Sequence, residues 1–336
     1  MTRDSMPPAE RFAVLLNANA RRVSREVEEL VGEVVPPDDL FLSSSAEEAA
    51  EITAEVVRRG YGTVFAGGGD GTVMDFLDHV SRVEPARRPA VGILKLGTGN
   101  AMARLVSSGN VLADLKTFSS TTPRDVLPLG LVEAEGRRFP FAGLGLDAEI
   151  LNDYRVFKQR SQGRLMRRLA QNVGGYVAAF ATRTMPRLVG RTLRRRVARV
   201  RAVVLGAEAL RVDADGAVLE RHAPGETLFE GPAVIAFAGT VPYYGYGFRV
   251  LPLAGRDPQR MHLRLADIGL IRALLNLRSL WHGTYRGPGI HNFLAAGIRL
   301  EFDRAMPFQV GGDAEGERRE LELRMVPDAV RLLHLL

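Results

Sequence analysis

Gly67-Gly68-Gly69-Asp70-Gly71-Thr72 runs straight into Val73, Met74, Phe76 and Leu77, so a glycine run opens into the spacing of a helix that buries one face. Residues without a Cβ let backbone N–H groups approach an anion, and a helix N-terminus adds its positive dipole end. Such a segment is built to cradle phosphate. No Lys-Ser/Thr follows the last glycine, which excludes a Walker A loop, and the spacing does not satisfy the G-x-G-x-x-G dinucleotide fingerprint. Asp70 stands beside phosphates that its charge would repel, an arrangement that makes sense when Mg²⁺ or its water shell lies between them. Thr72 offers a hydroxyl at the helix start, equally suited to an anion contact or to helix capping.

A second run follows thirty residues on: Gly97-Thr98-Gly99-Asn100-Ala101-Met102-Ala103-Arg104. That spacing is about one βαβ unit, so both loops fall outside the carboxyl ends of strands in one sheet, where open α/β folds bind ligands. Two cradles fit a polyphosphate, most simply a nucleotide, better than a single phosphate. Thr98 supplies a hydroxyl, and Asn100 a donor for phosphate or ribose or, alternatively, a helix cap. Asn17 ends the first predicted strand at the same sheet edge and adds a nucleotide contact. Lys95 reads as a solvated side chain at a strand end.

The elements that must position these residues are legible in the same stretch. Phe12–Leu16, Asp39–Leu42, Thr63–Ala66 and Ala90–Leu94 are predicted strands, alternating with helical patterns, the signature of a parallel sheet with crossover helices. Ser45 and Glu48 form a capping box ahead of Ala49, Ile52 and Val56, and Gly60 stops that helix. Beyond Pro123 the texture turns β-like, with predicted strands at Arg124–Val132, Arg138–Ala142, Val197–Leu205, Ala233–Phe237, Phe248–Leu251, Met261–Leu265, Ile298–Phe302 and Leu321–Met325. Asp215-Gly216 marks a hairpin turn. Helical stretches are expected near Gly163–Thr184, rich in Arg, and at Ile268–Trp281, with a Leu-rich face.

Composition bounds the classes available. With 336 residues, 46% of them apolar, the chain is long enough for two cores and is neither disordered nor collagenous. The absence of cysteine excludes a disulfide framework, a zinc ribbon and a cysteine nucleophile, and the six histidines show no metal-ligand spacing. The first residues lack the apolar stretch of a signal peptide, so a cytoplasmic location is expected. Gly231–Phe248 carries no charge, but its glycines and prolines would break a spanning helix. Arg155 to Arg201 holds 14 Lys or Arg and no acid, leaving the remainder of a +6 chain at −8. Charge so segregated is the footprint of an anionic surface, and segment 155–201 is expected to contact anionic lipid. It has few interleaved aromatics and no recognisable module for nucleic acid.

Taken in order, the Asn17 turn, Gly68-Gly69-Asp70-Gly71-Thr72, Gly97-Thr98-Gly99-Asn100 with Arg104, and Gly143-Leu144-Gly145-Leu146-Asp147-Ala148 resemble the diacylglycerol-kinase catalytic-domain superfamily. That superfamily includes bacterial diacylglycerol and YegS-like lipid kinases and the sphingosine and ceramide kinases. The resemblance implies an α/β N-terminal domain, NAD-kinase/phosphofructokinase-like, over residues 1–125 and completed by a strand at about 326–336. It also implies a mainly antiparallel β-sandwich over 126–325 that carries the lipid site and the catalytic acid. ATP and Mg²⁺ are the implied cofactors, with Asp70 toward the metal and Gly67, Gly68, Gly69, Gly71, Thr72, Gly97, Thr98, Gly99, Asn100 and Asn17 about the nucleotide.

The family's late D-G-E motif, whose Asp is thought to act as general base, falls on Asp313-Ala314-Glu315, so Asp313 and Glu315 are implied catalytic residues beside Asp70. Ala314 replaces the glycine and would be strained if its φ were positive. Ala101 stands where many diacylglycerol kinases carry Asp, closer to the sphingosine-kinase pattern. Asp147 could orient a head group, although a turn Asp reads equally well. The implied reaction is transfer of the γ-phosphate of Mg-ATP to the hydroxyl of a lipid such as diacylglycerol, at a membrane surface, in lipid metabolism and phospholipid biosynthesis. The alternatives are a sphingoid-base or ceramide-type kinase, an NAD-kinase-like small-molecule kinase, and a non-catalytic nucleotide- or lipid-binding protein; a homodimer is compatible with each.

Overall fold

Alternating apolar runs and amphipathic stretches fold, as expected, into parallel strands joined by helices. The computed structural model describes residues 11–20, 23–96, 101–106, 108–120, 125–145 and 197–334. The first compact unit comprises residues up to Pro140, Tyr243–Phe248 and the residues from Val326 on. In chain order it contains β1 (Phe12–Asn17), α1 (Arg25–Gly32), β2 (Leu40–Ser43), α2 (Ala46–Arg58), β3 (Thr63–Gly68), α3 (Asp70–Ser81), β4 (Ala90–Lys95), α4 (Ala101–Leu105), α5 (Val111–Ser120), β5 (Val126–Ala134) and β6 (Arg137–Phe139). β2, β1, β3 and β4 pair in that order, all parallel, with Val14 opposite Leu40, Phe12 opposite Thr63 and Thr63 opposite Ala90. β3 is buried along its whole length, as a strand covered by helices on both faces must be.

Local chemistry sets the helix ends. Ser45 accepts from the Glu48 N–H at 3.1 Å, but the Glu48 carboxylate turns to Ser44 rather than Ser45, accepting from its N–H at 2.6 Å and its hydroxyl at 2.7 Å. Those bonds hold the Glu48 carboxyl below its usual range. Gly60, at φ 72° just past the helix, supplies the left-handed residue that ends it. The expected strand at Asp39 begins at Leu40 because Pro37–Asp39 form a 3₁₀ turn. The core of this unit centres on Phe12, Phe65 and Phe118, whose rings meet edge to face at 5.0–5.8 Å. Leu16, Leu94, Leu115 and Leu333 pack in the same cluster.

The second unit comprises Phe141–Pro242 and Arg249–Met325 and is antiparallel and β-rich. Its strands are β7 (Phe141–Gly145), β8 (Arg199–Val204), β9 (Ala209–Val212), β10 (Val218–His222), β11 (Thr227–Pro232), β12 (Ile235–Gly239), β13 (Met261–Ala266), β14 (Ile290–Ala295) and β15 (Gly297–Val310), followed by β16 (Asp313–Leu333). β10-β9-β14-β13-β12-β7-β15-β16 pair in that order, and β8 pairs with β11 and β15. The Asp215-Gly216 hairpin forms as expected: Gly216 takes φ 85° and the Asp213 carboxylate accepts from the N–H of Asp215 and of Ala217. Ile268–Trp281 splits at Asn276 into α6 (Leu270–Leu275) and α7 (Leu277–Trp281).

Several expectations are corrected. Pro140 has no N–H for a ladder, so the run Arg138–Ala142 divides into β6 and β7. Phe248–Leu251 is not a strand; it follows a 3₁₀ turn at Gly245–Gly247. Ile298–Phe302 and Leu321–Met325 are pieces of the much longer β15 and β16. The helical stretch near Gly163–Thr184 and the motif residues Leu146, Asp147 and Ala148 lie outside the described residues.

β16 continues past the second unit, and its residues 326–333 belong to the first. There Arg331 and Leu332 pair in parallel with Ala90 and Val91 of β4. The Arg88 guanidinium donates to the carbonyls of Asp328, Ser81 and Val83 at 2.9 Å each.

In β13 every position is buried, including His262 and Arg264. His262 Nε2 lies 3.1 Å from Asn292 Oδ1, and Arg264 donates to the Val250 carbonyl at 2.8 Å. Burial, with the Arg264 charge adding to it, pushes the His262 pKa down to about 3. An imidazole held neutral in the fold protonates near 6.5 when unfolded. The stability it contributes is therefore complete above that pH and is lost as pH falls toward 3. Urea unfolding between pH 6.5 and 5 is expected to weaken by up to about 1.4 kcal/mol per pH unit from this group, and His262→Gln should flatten that slope. An unchanged slope would assign the acid sensitivity elsewhere.

Candidate functional site

β1 and β3 deliver Asn17 and the glycine run to the carboxyl edge of the parallel sheet, where Leu16 is opposite Gly67 and Gly68 opposite Lys95. A Cβ on Gly67 would stand 2.5 Å from Leu16 Cδ2, and one on Gly68 only 2.8 Å from Thr72 Cβ. Packing therefore requires glycine at Gly68, whereas at Gly67 the ends of the Leu16 and Leu96 side chains would have to move. Gly69 differs: among the described residues a Cβ there meets nothing within 4 Å, leaving room for a ligand atom to approach the backbone. Gly69 is also the N-cap of α3, and no side chain among the described residues caps that helix. The positive dipole end of α3 at Gly69 favours an anion. The cap falls at Gly69, not at Thr72, which sits inside the first turn.

Two side-chain bonds fix the loop. Asn17 Nδ2 donates to Thr72 Oγ1 at 2.7 Å, while Asn17 Oδ1 accepts from the Asn19 N–H at 2.9 Å, setting the orientation of the amide. Asp70 Oδ1 accepts from the Ala101 N–H at 2.9 Å, which places the carboxylate at the start of α4, directly after the second glycine run. Gly97, Thr98, Gly99 and Asn100 themselves lie outside the described residues. Arg104 of α4 stacks over Tyr243 at 5.9 Å, and its guanidinium lies so close to Gly247, at φ 81°, that a Cβ there would stand 2.9 Å from Arg104 Cζ. That contact was not legible in the sequence, where Gly231–Phe248 reads only as an uncharged, glycine-rich stretch. Lys95 is exposed. Its charge lowers the pKa of Asp114, but burial outweighs it and leaves that carboxyl above its usual range.

Asp313 and Glu315 are the first and third residues of β16, directly after the Gly311-Gly312 turn of the β15–β16 hairpin in the second unit. Gly311 and Gly312 take φ 61° and 91°, and the Gly312 N–H donates to Gln309 Oε1 at 2.7 Å. Asp313 pairs with Val310, and Ala314 with Gln309. Positive φ in this segment falls on Gly311, Gly312 and Gly316, not on Ala314, which lies in the strand. The replacement of the family's glycine therefore imposes no backbone strain. Strand alternation puts Asp313 and Glu315 on one face; Asp313 is exposed and Glu315 half-buried.

Residues 11–129 match the family model for the diacylglycerol kinase catalytic domain. Two proteins named probable lipid kinase YegS-like are also similar. That of Enterobacter sp. (strain 638) is 45% identical over 56 residues, 17% of this chain and 19% of the relative. That of Cronobacter sakazakii (strain ATCC BAA-894) is 28% identical over 127 residues, 38% of this chain and 36% of the relative. The similarity to the diacylglycerol kinase catalytic domain therefore lies within the first unit of the chain. Diacylglycerol kinase 2 of Arabidopsis thaliana is 29% identical over 121 residues, 30% of this chain and 17% of that protein. The matched region thus spans between 17% and 36% of the length of these relatives. A diacylglycerol kinase structure from Bacillus anthracis str. Sterne aligns with 97% of this chain and 97% of its own at a TM-score of 0.61 and 14% identity. A second structure from that organism reaches 0.67 at 17% identity over 99% of this chain and 98% of its own. The likeness to these structures is one of fold, and it extends over nearly the whole chain.

The geometry separates two kinds of glycine in this loop. Gly69→Ala is expected to leave thermal stability within about 0.5 kcal/mol of wild type while raising KM for ATP. Gly68→Ala should cost about 1–3 kcal/mol from overpacking against Thr72. Calorimetric melts and ATP titrations on both variants test the distinction. A Gly69→Ala protein with unaltered KM would mean that no phosphate approaches there.

Proposed function

We propose that the chain is an ATP-dependent lipid kinase that transfers the γ-phosphate of Mg-ATP to a hydroxyl of a lipid such as diacylglycerol. The observation that carries this reading is the start of α3 at Gly69, without a side-chain cap among the described residues, tied to β1 by the Asn17–Thr72 bond and to α4 by the bond from the Ala101 N–H to Asp70. Phosphoryl transfer needs the phosphates held in line, their charge offset, and a base for the hydroxyl proton. The α3 N–H groups and Thr72 bind and orient phosphate oxygens. Asp313 takes the proton of the attacking hydroxyl at its carboxylate oxygen, and Glu315, on the same strand face, reinforces the negative potential that draws it. Gly97, Thr98, Gly99 and Asn100 complete the nucleotide cradle.

Among the described residues no group of three or more acids, histidines or cysteines converges as a metal cage. Asp70 supplies one carboxylate, a donor set that suits Mg²⁺ shared with substrate phosphates and water rather than a dedicated all-protein site. Mg²⁺ bound there would offset phosphate charge.

The substrate is drawn from a membrane surface, with the protein peripherally attached from the cytoplasmic side. No described helix is long and apolar enough to cross a membrane. Of the basic segment 155–201, only 197–201 lie among the described residues, and Arg201 there pairs with Glu301 at 3.5 Å. The sphingoid-base alternative keeps one supporting feature, Ala101 after the second loop. Incubation of pure protein with labelled ATP, Mg²⁺ and a panel of hydroxyl-bearing lipids, with NAD and a sugar phosphate alongside, tests the reading. Label is expected in the lipid phase; label only on NAD or sugar, or none at all, contradicts it.

A further inference from the structure

Away from the glycine loops, large exposed apolar side chains concentrate on α6 and α7. Ile271 is 76% exposed, Leu275 81% and Leu277 58%, with Leu274 and Trp281 also exposed. Single exposed apolar residues are ordinary, whereas five within eleven positions form a patch. Ile271, Leu274 and Leu275 fall at helical spacings of three and four, as do Leu277 and Trp281 at four, so they line short apolar stripes.

Along the sequence, the patch lies in a stretch whose charges are basic. From Ile268 to Leu300 there is no Asp or Glu, while Arg272 and Arg278 are exposed within the helices. At the end of α7 a cleft of about 170 Å³ is lined by Arg249, Arg256 and Arg286, with Asp215, Gly283 and Thr284 among its other residues. The cleft adjoins the helix, because the Arg249 N–H donates to the Trp281 carbonyl at 2.9 Å. Asp215 is engaged by Arg286 at 2.5 Å, so the cleft as a whole stays cationic.

We propose that α6, α7 and the arginine-lined cleft form a docking element for an anionic lipid surface, with the leucines and Trp281 lodged among the headgroups. Apolar stripes suit the acyl boundary, Trp suits the interfacial layer, and the arginines suit anionic headgroups. A second copy of this chain is a poorer occupant, since two such faces would oppose like charge. Only the purpose of docking, access to a lipid hydroxyl, rests on the kinase reading; the docking itself needs no turnover.

Trp281 is the only tryptophan of the chain, so its emission reports directly on this patch. Vesicles of phosphatidylcholine, with and without phosphatidylglycerol, are added to the full chain. Expected are a blue shift and protection from acrylamide on the anionic vesicles, both declining as salt rises. Leu274→Asp combined with Leu275→Asp should lower vesicle partitioning by about tenfold or more, and Arg272→Glu with Arg278→Glu should abolish the preference for anionic vesicles. These side chains are exposed, and matching melting curves would confirm that the variants fold. An unshifted emission overturns the proposal, as does vesicle sedimentation without an emission change, which would assign binding to segment 155–201. A dimer that shields Trp281 without vesicles overturns it in favour of self-association.

Discussion

Replacing Asp313 by Asn is expected to lower kcat by roughly 10²–10⁴-fold while leaving nucleotide affinity essentially unchanged. The amide matches the carboxylate in size and still hydrogen-bonds, but it cannot take up the hydroxyl proton. Asp313 is exposed at the start of β16, and the hairpin geometry there is set by Gly311, Gly312 and the Gln309 side chain. The substitution should therefore move stability by no more than about 0.5 kcal/mol, so a loss of rate would not reflect unfolding. Steady-state assays at saturating ATP and lipid check this, with Glu315→Gln as companion. Turnover near wild type in Asp313→Asn removes Asp313 from the chemistry.

Asp70 calls for a pair of variants, because its carboxylate already has a structural task at the Ala101 N–H. Asp70→Asn keeps an oxygen for that bond and removes the charge. If the charge meets Mg-ATP, kcat/KM should fall roughly 10²–10³-fold with the melting temperature unchanged. Asp70→Ala removes both, and should lose about a further 1 kcal/mol of stability from the unsatisfied N–H. Nucleotide titration and thermal melts separate the contributions. An Asp70→Asn enzyme with wild-type kinetics would reduce Asp70 to a helix cap.

Much of this arrangement was legible before any coordinates. The first four strands fall within two residues of their expected ends because apolar runs bounded by Gly, Pro and Asp leave few alternatives. α1 escaped notice because Glu26, Glu28 and Glu29 crowd a helix with few apolar positions. The long β15 and β16 were seen only in pieces, since Pro307 and the charged stretch Glu315 to Glu322 interrupt their alternation. At the site, glycine spacing marked the turn from β3 into α3, but not the distinction between Gly68 and Gly69, which depends on where Thr72 packs. Nor could spacing show that Asn17 reaches Thr72 across 55 residues of chain. The role of Gly247 was likewise invisible, because it arises from contact with Arg104, which is remote in sequence.

The return of β16 to β4 carries a cost in time as the polypeptide is made. Arg331 and Leu332 supply the second partner of β4, and about 240 residues separate them from Lys95, or between about ten and fifty seconds of ribosomal elongation. Throughout that interval the nascent sheet presents a bare flank of N–H and C=O groups, a template for pairing with a neighbouring chain. Aggregation during synthesis should therefore be most sensitive to elongation rate in the stretch after Lys95, and to whatever shields that flank until the last strand arrives.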